Sequence, residues 1–367
     1  MRYDPVYDTW VAVAGNRQAR PTDVSAAAPS PSAPKTHCPF CEGNELETPA
    51  EVDAIPRADL PENLANAFWN GSERSLKSTS EREPTLDDYR KPNAPGWMIR
   101  SVPNRYPFVR PDAEPTRQQI GPYFMTPNVG KQEVLIDVPY HGAALSELSA
   151  EEFQYLIHFY HRRLHQLRKE GRWRYVQLFK NQGAAAGASL SHPHSQITAL
   201  PFVPPSVSRE LLFLTNYQRE TGRCYHCEVL AYERTERWRL VDESSYYGIF
   251  CPFASRYAGE IHVVPKRHMP CFLQSTREEL DDLAVMLRQT VRRLEEWRPS
   301  VGFNLVLKTS PWHYTADGAE AEANFHWRFE ICPRIACQAG FELGTGCFVN
   351  PIPPEEVAAA LKKLKLK

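Results

Sequence analysis

The pattern of apolar and polar positions sharpens after Gly130. Glu133–Pro139 (EVLIDVP) alternates as a half-buried strand does and runs into His141. Ser149-Ala-Glu-Glu152 follows, a hydroxyl residue with a glutamate three places on, which is the reciprocal cap that opens a helix. Behind it Phe153, Leu156, Ile157, Tyr160, Leu164 and Leu167 recur at helical spacing, and Tyr175–Lys180 (YVQLFK) reads as a second strand. The order is strand, histidine, helix, strand, small-residue loop, histidine pair.

That order occurs twice. Glu260–Pro265 (EIHVVP) runs into His268, Ser275-Thr-Arg-Glu278 supplies a second cap, and Leu280, Leu283, Leu287, Val291 and Leu294 repeat the helical stripe. Phe303–Lys308 (FNLVLK) matches YVQLFK, and Phe325-His-Trp-Arg-Phe-Glu330 stands where Ser191-His-Pro-His-Ser-Gln196 stands in the first copy. The pattern predicts a duplicated α+β unit, residues 1–205 and 206–367, whose antiparallel sheets pack or join because each unit alone has a small core. Residues 21–36 and roughly 72–95, rich in Pro, Ser and charge, read as surface insertions.

Composition narrows the function. The 367 residues are 42% hydrophobic and 24% charged with a net charge of −1, which gives no field for nucleic acid. With no membrane-length apolar run and no basic, apolar leader, a cytoplasmic location is expected. Four of the nine cysteines form two Cys-x-x-Cys pairs, which in a reducing compartment favour metal over disulfides.

Each copy offers two thiols and two imidazoles, a donor set suited to tetrahedral zinc: Cys38, Cys41, His141 and His192, then Cys224, Cys227, His268 and His326. Two zinc ions per chain are expected, with His226 a spacer. Asn181–Ser189 (NQGAAAGAS), including Gly187, reads as a phosphate cradle that opens backbone N–H groups to the ligand. Beyond it His192 and His194 share one face of a strand, so one reaches metal and the other substrate. A neutral imidazole whose second nitrogen donates to a fixed acceptor is a nucleophile at pH 7; a backbone carbonyl is the expected acceptor for His194, with Gln196 donating to the phosphoryl oxygen. In the second copy Arg328 takes the place of His194 and cannot be a nucleophile at neutral pH. Arg328 and Glu330 then either line a substrate site or form a structural ion pair.

These motifs resemble galactose-1-phosphate uridylyltransferases, a branch of the histidine-triad superfamily. The likeness runs from Asp4-Pro5, Trp10 and Arg17-Gln-Ala-Arg20-Pro21, through Cys38-Pro-Phe-Cys41 and Asn104-Arg-Tyr-Pro107, to Gly340–Gly346. The resemblance implies two antiparallel sheets with flanking helices forming a half-barrel, a homodimer, and double displacement through a nucleotidyl-histidine on His194. It also implies phosphate contacts at Ser189 and Gln196, phosphate or sugar contacts at Arg17 and Arg20, a base contact at Asn104, and Glu342 among the substrate contacts. The second-half Cys/His set and Leu178–Pro205 are similar to the plant ADP-glucose phosphorylase branch rather than to uridylyltransferases with a histidine-rich iron site. The hexose-contact glutamine expected after Glu342 is replaced by Gly344-Thr-Gly-Cys-Phe348. The leading expectation is nucleotidyl transfer from a nucleoside-diphosphate hexose to hexose 1-phosphate. The alternatives are an ADP-sugar phosphorylase using inorganic phosphate and a non-catalytic zinc-containing nucleotide-binding module.

Overall fold

The computed structural model describes residues 1–15, 37–57, 90–114, 116–312 and 321–364. Its strands in chain order begin with β1 (Arg2–Asp4), β2 (Thr9–Val13), β3 (Asp53–Pro56), β4 (Trp97–Pro103), β5 (Gln118–Ile120), β6 (Tyr123–Met125) and β7 (Lys131–Ile136). Helix α1 (Ala150–Lys169) leads to β8 (Tyr175–Gln182) and β9 (His194–Leu200). Helices α2 (Pro205–Thr221) and α3 (Tyr225–Glu236) join the halves, and β10 (Leu240–Glu243), β11 (Tyr247–Phe250) and β12 (Ile261–Pro265) follow. The chain ends with α4 (Arg277–Trp297), β13 (Phe303–Lys308), β14 (Arg328–Pro333), α5 (Gly340–Thr345), β15 (Phe348–Asn350) and α6 (Pro354–Lys363).

The two long helices start and bury themselves for the reasons their sequences give. At α1 the Glu152 N–H donates to Ser149 Oγ (3.1 Å) and the Ser149 N–H to the Glu152 carboxylate (2.8 Å). At α4 the same box is built by Thr276 and Glu279, one residue later than the Ser275–Glu278 pair expected from sequence. Ser275 is buried with its hydroxyl against the Met269 sulfur, which leaves the neighbouring Thr276 to cap. All six predicted apolar positions of α1 and all five of α4 are buried. The helices pack side by side on one face of the sheet, where Asp281 of α4 accepts from Gln154 of α1 (2.6 Å) and lies 2.7 Å from His158 Nε2.

The ten-stranded antiparallel sheet has the order β10-β11-β12-β14-β13-β8-β9-β7-β4-β3. Read outward from its centre, the order on one side repeats the other, element for element. The seam is the antiparallel pair β8–β13, with Val306 opposite Phe179 and Asn304 opposite Asn181. This corrects the expected half-barrel. The two copies do not contribute one sheet each to a curled assembly, because β8 and β13 satisfy their backbone edges with one another. The resulting sheet is open, and its outer strands β3 and β10 lie at opposite ends without meeting. A two-stranded hairpin, β5–β6, and a three-stranded sheet in which β15 runs parallel to β2 complete the strands.

Candidate functional site

On β7, β8 and β9 alternate residues face opposite sides of the sheet. Leu135, Leu178 and Ile197 face the helices and join the core. His194 pairs with Ile136, and Gln196 with Val134 and Phe179, on the other side. Carried two residues beyond Phe179–Gln196, this register sets Asn181 opposite His194.

Just before β9, the chain brings His192 to the Cys38–Cys41 turn. Its Nδ1 lies 3.7 Å from Cys38 Sγ and 3.6 Å from Cys41 Sγ, and His141 Nδ1 lies 3.8 Å from Cys41 Sγ. The second cluster repeats the arrangement: His326 Nδ1 is 3.6 and 3.4 Å from the sulfurs of Cys224 and Cys227, and His268 Nδ1 is 3.8 Å from Cys227 Sγ. The donor atoms of each set lie within 4.8 Å of one another. Tetrahedral zinc, with bonds of about 2.3 Å to sulfur and 2.0–2.1 Å to nitrogen, would separate S and N by about 3.6 Å, so both sets fit the ion. Three of the rings also have the required tautomer fixed. Carbonyls only accept, so Nε2–H of His192 donates to Val138 (2.8 Å), of His326 to Pro265 (3.0 Å) and of His268 to Ala323 (2.9 Å), which bares each Nδ1 lone pair. His226 stands outside the cluster.

His194 is turned the other way. Its Nδ1–H donates to the His192 carbonyl (2.8 Å), so the bare lone pair is on Nε2. Burial above all, helped by the Lys180 ammonium, lowers its pKa from the ordinary histidine value, which keeps the ring neutral at pH 7. Phe40, from inside the first Cys-x-x-Cys turn, meets the ring edge-on at 5.6 Å. On the helix side of the sheet, Lys180 of the neighbouring β8 donates to Asp137 (2.7 Å) and to the His194 carbonyl (3.1 Å). Ser195 also donates to Asp137, at 3.1 Å. Reading YVQLFK simply as a strand misses this pair. The signal was a lysine in phase with the buried Val176 and Leu178.

The loop after β8 turns through Gly183 (φ 81°) and Gly187 (φ 87°), positions that favour glycine. Within it the N–H groups of Ala186 and Ala188 donate to Gly183 O and that of Gly187 to Ala184 O, so these three are not turned to a ligand. Ser189 is exposed beyond them, and Asn181 is half-buried at the loop's start. Asn104 sits at the end of β4, its N–H donating to Gln132 O (2.9 Å) and its side chain accepting from the Tyr106 N–H (2.8 Å). Glu342 accepts from the Ala339 N–H (3.0 Å) at the start of α5; among the described residues it makes no hydrogen bond or ion pair with the His194 strand. Arg17 and Arg20 lie outside the described residues.

In the second half Arg328 occupies the position of His194 and His226 that of Phe40, with Arg328 Nη1 3.2 Å from His226 Nε2. Arg328 is 1% exposed and paired with Glu210 and Glu330, both at 2.7 Å. Lys308 joins Glu210 (3.0 Å), Arg256 joins Glu330 (2.9 Å) and Glu260 (2.6 Å), and the Tyr7 hydroxyl donates to Glu330 beneath the Arg256 guanidinium. A cavity of about 670 Å³, lined by Arg328, Tyr7, Tyr225, Trp238 and Phe253, lies against this network; His194 does not line it.

Fold and site together define a protein of the histidine-triad type, duplicated within one chain, with a histidine at position 194 of the first copy and a buried arginine, Arg328, at the matching place in the second. Residues 98–204 match the family described as galactose-1-phosphate uridyl transferase, N-terminal domain. The chain is 32% identical to the ADP-glucose phosphorylase of Arabidopsis thaliana over 370 residues, covering 100% of this chain and 93% of that protein. It is 26% identical to the galactose-1-phosphate uridylyltransferase of Thermotoga maritima, covering 100% and 99%. The crystal structure of the A. thaliana ADP-glucose phosphorylase with bound ADP-glucose matches with a TM-score of 0.77 and 30% identity over 100% of this chain and 99% of that one. A solved uridylyltransferase matches with a TM-score of 0.69 and 27% identity over 98% and 96%. The chain belongs to the galactose-1-phosphate uridylyltransferase family of the histidine-triad superfamily.

Proposed function

We propose that this protein is a nucleotidyl-transferring phosphorylase of nucleoside-diphosphate sugars, acting on an ADP-hexose and inorganic phosphate. In the first displacement the His194 Nε2 lone pair bonds to the α-phosphorus. The bond from that phosphorus to the bridging oxygen breaks, and hexose 1-phosphate leaves. In the second, a phosphate oxygen attacks the same phosphorus, the N–P bond breaks and nucleoside diphosphate departs. The phosphoramidate conserves enough free energy for either direction to run. Gln196 and Asn181 donate to the phosphoryl oxygens as charge grows on them. Both Cys/His sets hold Zn²⁺, which fixes the strands that carry His194 and Arg328.

The orientation of the His194 ring carries the reading. Its Nδ1 is occupied by a carbonyl 2.8 Å away, so Nε2 is the nitrogen left with a lone pair. A module that only binds nucleotides has no need of a neutral imidazole held in that tautomer. The ADP-hexose and phosphate are supported by full-length similarity to a plant ADP-glucose phosphorylase and by the absence of a glutamine after Glu342. Hexose 1-phosphate as acceptor is the second reading, favoured by similarity across 99% of the T. maritima uridylyltransferase.

The test is to incubate the protein with ADP-glucose or UDP-glucose labelled in the nucleotide, isolate the labelled polypeptide, and discharge it with inorganic phosphate or galactose 1-phosphate. Loading from ADP-glucose and release of ADP by phosphate is the expected result. Loading from UDP-glucose with discharge by galactose 1-phosphate alone would replace it with the second reading.

A further inference from the structure

The two amides that flank His194, Asn181 and Gln196, each present either an N–H donor or a carbonyl oxygen to a ligand, and only the donor stabilises a phosphoryl oxygen. Which end faces the ligand is set by neighbours whose own polarity is not free. Arg334 can only donate, and its Nε lies 2.6 Å from the Asn304 side chain, so Asn304 offers Oδ1 to it. Asn304 Nδ2 therefore faces the other way, toward Ala186 O (2.8 Å), an acceptor only, and toward the Asn181 side chain (2.8 Å). Asn181 must meet that N–H with its Oδ1. Its own Nδ2 is turned to the glycine loop, where a Cβ at Gly187 would be 3.9 Å from it, and among the described residues it has no acceptor.

A second chain does the same for Gln196. The Phe108 N–H donates to Gln132 Oε1 (3.2 Å), and Gln132 Nε2 then donates to Gln196 Oε1 (3.2 Å). Gln132 is buried and Gln196 half-buried, and the Gln196 Nε2 is left without an acceptor among the described residues. Two relays with different anchors end in the same state, an amide N–H₂ on either side of His194. Three of the loop's own backbone donors, the N–H groups of Ala186, Gly187 and Ala188, are spent inside it.

We propose that Asn304, Arg334 and Gln132 are positioning residues, acting through Asn181 and Gln196 to hold both amides donor-first toward the phosphoryl group. One relay starts in the second half of the chain, which thereby contributes to a reaction carried out in the first. The inference rests on the nucleotidyl-transfer reading above.

The experiment is a pair of double-mutant cycles on the single-turnover rate of nucleotide loading, with zinc content and thermal midpoint measured for every variant. Asn304→Leu and Gln132→Leu, neutral replacements that remove a relay, should each slow loading on the order of tenfold to a hundredfold, less than the roughly hundredfold to thousandfold cost of removing an oriented donor outright. Asn304→Asp and Gln132→Glu keep the size but only accept, so they should slow it further by turning the flanking amide around. In the Asn181→Ala background Asn304→Leu should have no further effect, and Gln132→Leu none in the Gln196→Ala background. The same fold-loss in both backgrounds would show that these residues act on the fold and not through the amides, and would overturn the relay while leaving the proposed function intact. A wild-type chain that accepts no nucleotide at all would overturn both.

Discussion

Two histidines two residues apart differ by which ring nitrogen meets a carbonyl. His192 gives its Nε2–H to Val138 and turns Nδ1 to the thiols; His194 gives its Nδ1–H to His192 and keeps Nε2 bare. Their substitutions should therefore fail differently. His194→Gly should abolish nucleotide loading while leaving the metal content and thermal midpoint near those of the wild type, and added imidazole should restore part of the turnover. His192→Ala should first lose metal, with activity falling as the strand loses its anchor. Normal loading by the glycine variant would exclude His194 as the nucleophile. Arg328 extends the comparison: the same place in the second copy is a buried cation held by two carboxylates, one of the two outcomes its sequence allowed.

Strands and helices show what an amphipathic pattern reveals and what it hides. The stripes of α1 and α4 and the caps before them are local, so their sequences are enough to place them within a residue. The partnership of β8 with β13 is not local. YVQLFK and FNLVLK each announce a strand, but a period of two says which face is buried and nothing about which edge is paired. The same limit hid Tyr7 and Lys180, whose partners are distant in sequence, whereas both Cys/His sets were legible because metal spacing repeats. Two measurements follow at this scale. Metal analysis should find about two zinc ions per chain, and a content near one would leave the second set without its proposed role. Lys180→Met, which strands the buried Asp137 carboxylate, should cost about 3–5 kcal/mol, and Lys180→Met with Asp137→Leu should recover much of it. Chemical denaturation of the single and double variants would show whether the pair behaves as a unit.

Across the whole molecule the second copy carries a buried lattice of charge where the first carries His194. Burial alone would raise the carboxyls of Glu330, Glu260 and Glu210. Arg328 and Arg256 outweigh it at Glu330, Arg256 at Glu260, and Arg328 and Lys308 at Glu210, so all three lie below the ordinary carboxylate value. A folded-state pKa below the unfolded value of about 4.3 favours the ionised folded chain. That stability is fully present above the unfolded value and is lost as pH falls through the folded ones. Acid titration of the wild type should show unfolding steepening below about pH 4. Glu330→Gln should be less stable at pH 7 by about 3–5 kcal/mol and should lose less on acidification; an acid limb identical to the wild type would exclude Glu330 from the effect.

The β8–β13 seam also sets an order of events during synthesis. Asn181 and Asn304 meet across it although 123 residues separate them in the chain. A ribosome that has just finished β9 has made the Cys/His set of the first copy, its glycine loop and His194, yet β13, the neighbour on the other edge of β8, does not exist. The nascent half carries an unpaired strand edge, a template for joining another chain, until most of the second half has emerged. Long-range pairing of this kind is slow to form, so the contact of Asn304 with Asn181 waits on the C-terminal segment.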